Sequence, residues 1–246
     1  MNEAIKIEHL FHTYHTGKIS TDAINDMTLS VPKGQIFGFL GPNGAGKTTT
    51  IKYLLGIFKP KRGTVAVLGG SPSEVEARQK MGYMPENAEY YKYLTPRELL
   101  RMYGGVCGLG GTELEKRIDM LLGTVDLIKE SDRILKTFSK GMKQRVSFAQ
   151  SLINDPDLLI LDEPTGGLDP VSRKRMRESL LALKREGKTI FFSSHELSEV
   201  ELISDSIAIV NRGRLLAEGK VSDIVTLKGE KQSLENYFLE IIEEAA

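Results

Sequence analysis

Ile5, Ile7 and His9 alternate with polar residues near the start of the chain. A second alternating stretch runs from Ala23-Ile24 to Val31, where Pro32-Lys33-Gly34 stops it. Period-two patterning predicts two half-buried strands joined by a polar turn. Gln35-Ile36-Phe37-Gly38-Phe39-Leu40 is a short apolar run instead, the pattern of a strand covered on both faces, and it ends directly in a glycine-rich loop. Beyond the loop, Ile51, Leu54, Leu55 and Phe58 keep helical spacing and predict a helix over 48–58. Lys59-Pro60-Lys61-Arg62-Gly63 then breaks the chain before a strand from Thr64 to Leu68.

The middle differs in texture. Thr95-Pro96-Arg97-Glu98 supplies an N-cap followed by proline at the first helical position, and helical periodicity continues to about Ile153. This predicts a helical subdomain inserted in an α/β core. Leu158-Leu159-Ile160-Leu161 and Thr189-Ile190-Phe191-Phe192 are buried-strand runs separated by a charged amphipathic helix from Ser172 to Glu186, an order that implies a parallel crossover. Ser206 to Glu218, centred on Asn211-Arg212-Gly213, predicts a hairpin, and Leu234 to Glu243 an acidic amphipathic tail helix. The expected division is one domain over 1–225, with the helical insertion at about 95–153, and a tail over 226–246.

At 246 residues, 40% hydrophobic and 27% charged, the chain is long enough to bury a substantial core. Its 33 Lys and Arg balance 33 Asp and Glu, so no overall field favours nucleic acid, and no nucleic-acid partner is expected. The single Cys107 excludes an intramolecular disulfide and suits a reducing compartment. No apolar run approaches the ~18 to 20 residues that span a bilayer, and Met1-Asn2-Glu3-Ala4-Ile5-Lys6 lacks the apolar stretch of a signal peptide. Work on a membrane would therefore require another chain to carry the membrane part.

Gly41-Pro42-Asn43-Gly44-Ala45-Gly46-Lys47-Thr48 fits G-x-x-x-x-G-K-[ST] immediately after a buried strand and at the opening of a helix. The glycines let successive N–H groups turn inward, and the helix N-terminus adds partial positive charge, so the loop suits a polyphosphate. Lys47 is placed to bridge the β- and γ-phosphates, Thr48 to ligate Mg2+, and Thr49 to line the nucleotide. Asp162-Glu163 ends a buried strand, where open α/β sheets keep their ligand sites. Asp162 suits contact with Mg2+, and Glu163 the polarisation of a water for in-line attack. His195, after another buried run, could hydrogen-bond the γ-phosphate and that water. His12-x-x-His15 is too sparse to argue for a metal site.

These features alone describe a P-loop NTPase. Thr137-Phe138-Ser139-Lys140-Gly141-Met142-Lys143-Gln144-Arg145 narrows the class, because it resembles the signature of ABC ATPases, usually written L-S-G-G-Q and followed by Gln-Arg. The resemblance covers the chain in the family's order. Tyr14 matches the aromatic that stacks on adenine, Gly82-Tyr83-Met84-Pro85-Glu86 the loop linking core and helical subdomain, Gly167-Leu168-Asp169 the loop contacting the other subunit, and His195 the switch histidine. It implies a P-loop core of mainly parallel sheet, with an antiparallel β subdomain and the helical insertion. It also implies a homodimer or heterodimer in which ATP and Mg2+ lie between the phosphate loop of one subunit and Ser139, Lys140 and Gly141 of the other. Hydrolysis would drive a separate integral membrane permease, the chain sitting peripherally at the cytoplasmic face of the membrane.

Two departures stand out. Glu86 occupies a position usually held by glutamine, where its carboxylate could interact with Mg2+, and Lys140 and Met142 replace the second glycine and the glutamine of the signature. Both resemble the branch of single-domain subunits that pair with exporter permeases. Tyr90-Tyr91-Lys92-Tyr93 suits either a permease interface or packing between subdomains. The competing reading, a soluble ABC-type regulator of a ribosomal, DNA or assembly machine, usually brings a second ATPase domain, a coiled-coil insertion or basic extensions, none of which appears.

Overall fold

In the computed structural model, which describes residues 2–17, 19–226 and 232–245, β1 (Glu3–Thr16) and β2 (Ile19–Pro32) form one long antiparallel hairpin. It runs further than hydrophobic alternation predicts. Near its tip, cross-strand polar bonds take over, with Thr13 Oγ1 donating to Asp22 Oδ1 at 2.7 Å and His15 Nδ1 lying 2.9 Å from Ser20 Oγ. His9 does not continue the core-facing series. Its backbone is left-handed (φ 49°) in a bulge opposite Asp26, and Leu10 takes the buried position.

The two-sided burial predicted for β3 (Ile36–Leu40) is observed: Ile36 and Leu40 face one core, Phe37 and Phe39 the other. Helix α1 (Lys47–Leu54) stops four residues short of the predicted end, because Gly56 adopts a left-handed backbone (φ 66°) packed against the Pro72 carbonyl. β4 (Thr64–Val67) then joins β1, completing a three-stranded antiparallel sheet in the order β2-β1-β4.

A short α2 (Val75–Gln79) leads into β5 (Met81–Met84), so the first part of the segment expected as a linking loop is an edge strand and the loop starts at Pro85. The helical stretch follows as α3 (Pro96–Val106), α4 (Gly111–Thr124) and α5 (Lys140–Ser151). Thr95 and Glu98 form a reciprocal capping box at the start of α3. Leu99, Leu100, Ile118, Leu122, Val146 and Phe148 pack the three helices together.

β6 (Leu158–Asp162), α6 (Pro170–Arg185) and β7 (Thr189–Ser194) make the predicted parallel crossover. After α7 (Leu197–Ile203), β8 (Ser206–Asn211) and β9 (Arg214–Lys220) form the predicted hairpin, turning through Arg212 (φ 46°) and Gly213 (φ 77°). The main sheet has the order β5-β6-β7-β3-β8-β9, parallel except for the β8/β9 pair. One face of this sheet packs against the antiparallel sheet and α1, the other against the helices.

The chain continues through α8 (Val221–Ile224). The segment 227–231, early in the expected tail, lies outside the described residues. α9 (Leu234–Glu244) buries Leu234 and packs Tyr237, Phe238, Ile241 and Ile242 on the core. No helix among the described residues is long and apolar enough to cross a membrane.

Gly82 holds β5 against the end of α5. A Cβ there would lie 2.0 Å from the Ser151 carbonyl oxygen. Gly82→Ala should lower the free energy of unfolding by about 1 to 3 kcal/mol, the usual cost of overpacking, measured as a reduced urea midpoint. An unchanged midpoint would contradict so close a contact.

Candidate active site

The register of the parallel strands assembles the site. Leu40 pairs with Ser194 and Asp162 with Ser193, so the chain leaves β3, β6 and β7 at one level of the sheet. The phosphate loop, Glu163 and His195 follow these ends directly. This is the carboxyl edge, where open α/β sheets place ligands.

Gly44 (φ 82°) and Gly46 (φ 103°) occupy backbone conformations costly for other residues, and α1 begins at Lys47 with no side-chain cap on its N-terminal N–H groups. Space is equally restrictive. A Cβ on Gly46 would lie 2.3 Å from the Ala23 carbonyl oxygen, and one on Gly41 would lie 2.3 Å from that of Val210. The β8–β9 turn is stitched to the loop, Gly213 N donating to Ala45 O at 3.0 Å and Asn25 N to Gly213 O at 2.8 Å.

Lys47 is buried, its ammonium donating to the carbonyls of Gly41 (2.6 Å) and Pro42 (3.3 Å). Burial pulls its pKa down, opposed by the negative charges of Glu163, Asp162 and Glu86. Thr48 is exposed, whereas Thr49 is buried with its hydroxyl 3.3 Å from that of Tyr14. Pro42, Asn43 and Ala45 complete the loop side of a cleft of about 300 Å3, which also takes in Tyr14, Glu86, Asp162 and Glu163.

Asp162 is 5% exposed and accepts a 2.5 Å hydrogen bond from Ser193 Oγ. Burial is the main cause of its raised pKa; the serine bond and Lys47 oppose it, and the charges of Glu163 and Glu86 add to it. Glu163 is nearly as buried and has a left-handed backbone (φ 51°), a strained state for a non-glycine residue. Its N–H meets Ser193 O (3.2 Å) and Oγ (3.1 Å), and Gln144 Nε2 donates to the carbonyls of Glu163 (3.3 Å) and Pro164 (2.9 Å). Glu163 Oε2 lies 2.9 Å from Nδ1 of His195, whose side chain is largely exposed. A buried carboxylate is thus covered by an accessible imidazole, across one cleft from a cationic loop.

Ser193 and Gln144 are missed as site residues by sequence reasoning. Ser193 had a local signal, a polar residue directly continuing the apolar run 189–192, and the structure buries it completely. Arg173 is a third, donating to Leu168 O at 3.4 Å and lying 3.1 Å from the carboxylate of Glu196, the residue after His195.

Ser139, Lys140 and Gly141 do not line the cleft of Tyr14 and Lys47. They begin α5, where Ser139 Oγ accepts from Met142 N at 3.2 Å. The Lys140 side chain lies over Gly167, close enough that a Cβ on that glycine would meet Nζ at 2.9 Å. Asp169 is occupied in capping α6, its Oδ1 accepting from Val171 N and Ser172 N at 3.0 Å. Tyr90 packs on the core, whereas Tyr91 and Tyr93 are exposed with ring centroids 5.8 Å apart.

Strand, glycine loop, helix N-terminus and a carboxylate-tipped strand lying one strand away in the same parallel sheet define a P-loop nucleotide-hydrolase cassette. Residues 24–166 match the ABC transporter family model, and the chain belongs to that family. It is 40% identical over 253 residues to an uncharacterized ABC transporter ATP-binding protein of Synechocystis sp., covering 98% of this chain and 72% of that protein. It is also 40% identical over 207 residues to the Nod factor export ATP-binding protein I of Cupriavidus pinatubonensis, covering 83% of this chain and 64% of that relative. The chain thus spans about two thirds of that relative's length. A solved structure described as the ATP binding subunit of an ABC transporter superposes with a TM-score of 0.87 at 32% identity, covering 97% of this chain and 99% of that one.

Gly46→Ala tests the cradle. Placing a Cβ against Ala23 O in this left-handed conformation should weaken binding of a fluorescent ATP analogue by about tenfold or more. A dissociation constant within twofold of the parent would remove the loop constraint.

Proposed function

We propose that this chain is the ATP-hydrolysing subunit of an ABC exporter, coupling ATP binding, dimer closure and hydrolysis to conformational change in a separate membrane permease. The observation that carries the reading is the buried Glu163 carboxylate beside His195, in the same cleft as the Lys47 loop and Asp162. The export name of a relative covered over most of this chain supports the direction of transport. The chain works peripherally, at the cytoplasmic face of the membrane, through its permease.

Phosphates would sit on the backbone N–H groups of Asn43 to Thr48, and the Lys47 ammonium would exchange its carbonyl partners for β- and γ-phosphate oxygens. Tyr14 supports the adenine. The Thr48 hydroxyl and the carboxylates of Asp162 and Glu86, which line one cleft, are hard oxygen donors that fit Mg2+. When bound, that ion neutralises phosphate charge. Glu163 takes the proton of the attacking water, and its burial keeps the carboxylate free of bulk-solvent competition. His195 lies beside the Glu163 carboxylate, where it is placed to reach the γ-phosphate.

Ser139, Lys140 and Gly141 serve the nucleotide of the other subunit. Their separation from this chain's own cleft accords with a site completed between two cassettes. The exposed pair Tyr91 and Tyr93 offers rigid amphipathic area for the permease.

Glu163→Gln should retain ATP binding while hydrolysis falls about a hundredfold or more, as for loss of a positioned base; near-normal turnover would remove Glu163 from this role. Lys47→Ala should weaken nucleotide binding itself, read as a raised dissociation constant for the same fluorescent analogue, and unchanged affinity would contradict the cradle. Tagged Glu163→Gln protein, captured from detergent-solubilised cells with ATP, should bring down a multi-span membrane protein. Recovery of ribosomal, DNA-bound or assembly proteins alone would replace the transport reading with the soluble-regulator one.

A further inference from the structure

A second cleft, of about 420 Å3, lies between β1, the end of α1 and the 57–62 segment, and shares no lining residue with the nucleotide cleft. Lys59, Lys61 and Arg62 line it with His15, and no carboxylate does. Several cations elsewhere are paired. Arg97 is paired with Glu115 and Asp119, Lys184 with Asp205, and Arg173 with Glu196. Among the described residues, Lys59, Lys61 and Arg62 have no ion pair within 4.0 Å. Arg62 instead rests on the Phe11 ring, 3.8 Å from its centroid, a contact that orients the guanidinium without neutralising it.

The cleft is backed by a fixed aromatic cluster. His12 stacks on Phe58 with centroids 5.1 Å apart and rings 6° from parallel, and its Nδ1 lies 2.8 Å from the hydroxyl of the buried Tyr53. His12 Nε2 is buried with no hydrogen-bond partner, an unmet polar demand on a ring that lines a cationic cavity. Burial, then the charges of Lys52, Lys61 and His15, push the pKa of this imidazole down. Lys61 thus acts on this ring from the cleft, and the low-dielectric aromatic wall beside Lys59, Lys61 and Arg62 concentrates their positive potential. The complement is a compact, multiply charged anion with several acceptor oxygens.

We propose that this cleft binds the phosphoryl group of a phosphate ester, at a site separate from the hydrolysed ATP, and that occupancy reaches the nucleotide site through His12. The His12 ring meets Tyr14 edge-on, with centroids 4.4 Å apart, and Tyr14 lines the nucleotide cleft. The binding half stands independently of the proposed function. The shared chemistry has two sources, a free ester or a lipid headgroup.

The test uses the full chain saturated with Mg-ADP, so that the phosphate loop is already filled. Glycerol 3-phosphate is titrated in one arm while the histidine imidazole resonances are followed. In the other arm, phosphatidylglycerol vesicles are compared with phosphatidylcholine vesicles by flotation. Saturable binding in either arm, lost about tenfold or more in Lys59→Glu/Lys61→Glu and accompanied by movement of the His12 resonances with the free ester, is the expected result. The arm that binds identifies the source. The substituted lysines are exposed and unpaired, and an unchanged circular dichroism spectrum with normal ADP binding shows that the variant folds. No binding in either arm at millimolar ester, or binding unchanged in the double variant, overturns the site. An ADP dissociation constant indifferent to cleft occupancy overturns the link through His12.

Discussion

The parallel hydrogen-bond ladder through β6, β7 and β3 is the interaction on which the site depends. It brings three chain segments, distant in sequence, to the same edge at the same level. Because side chains alternate between faces, a one-residue slip of β3 would exchange Phe37 and Phe39 with Ile36 and Leu40 between two dissimilar cores. The rings oppose that slip directly: Phe37 stacks on Phe191 at 6.0 Å, and Phe39 meets it at 5.2 Å. Core packing thus sets the position of the phosphate loop relative to Glu163 and His195.

Within that frame, Glu163 bears the local cost. Its left-handed backbone is held from two sides, by Ser193 on the neighbouring strand and by Gln144 on α5. The second tie crosses between layers. It ties the Glu163 backbone to α5, and Arg173 similarly joins the carbonyl of Leu168 to the segment after His195. Side chains at the edge of the site therefore tie its centre to elements in other layers of the fold.

Much of this arrangement was legible in the amino-acid order. Uninterrupted apolar runs at 36–40, 158–161 and 189–192 identify strands buried on both faces, and the polar residues just past each run are the ones the fold brings together. The failures have physical causes. The hairpin tip at 13–22 is held by polar pairs, which leave no hydrophobic period to read. β5 is only four residues long, and its Gly82 speaks for a loop until the close approach of Ser151 is seen. Helix 48–58 looked longer because Phe58 keeps the apolar spacing while serving the His12 cluster instead. Gln144 escaped because its partners are distant in sequence, and the polarity of Ser193 after an apolar run does not by itself name Asp162 as its partner.

The stitching of the β8–β9 turn to Ala45 and Asn25 bears on the order in which the protein is made. The glycine loop leaves the ribosome early, but the turn that latches it and two strands flanking β3 come from much later in translation. Contacts between such separated segments form only after the intervening chain has been organised. A nascent chain that has displayed its phosphate-binding motif therefore still lacks the frame that shapes it. The frame of the glycine loop is complete only once β7, β8 and the β8–β9 turn have been made and the main sheet has closed around β3.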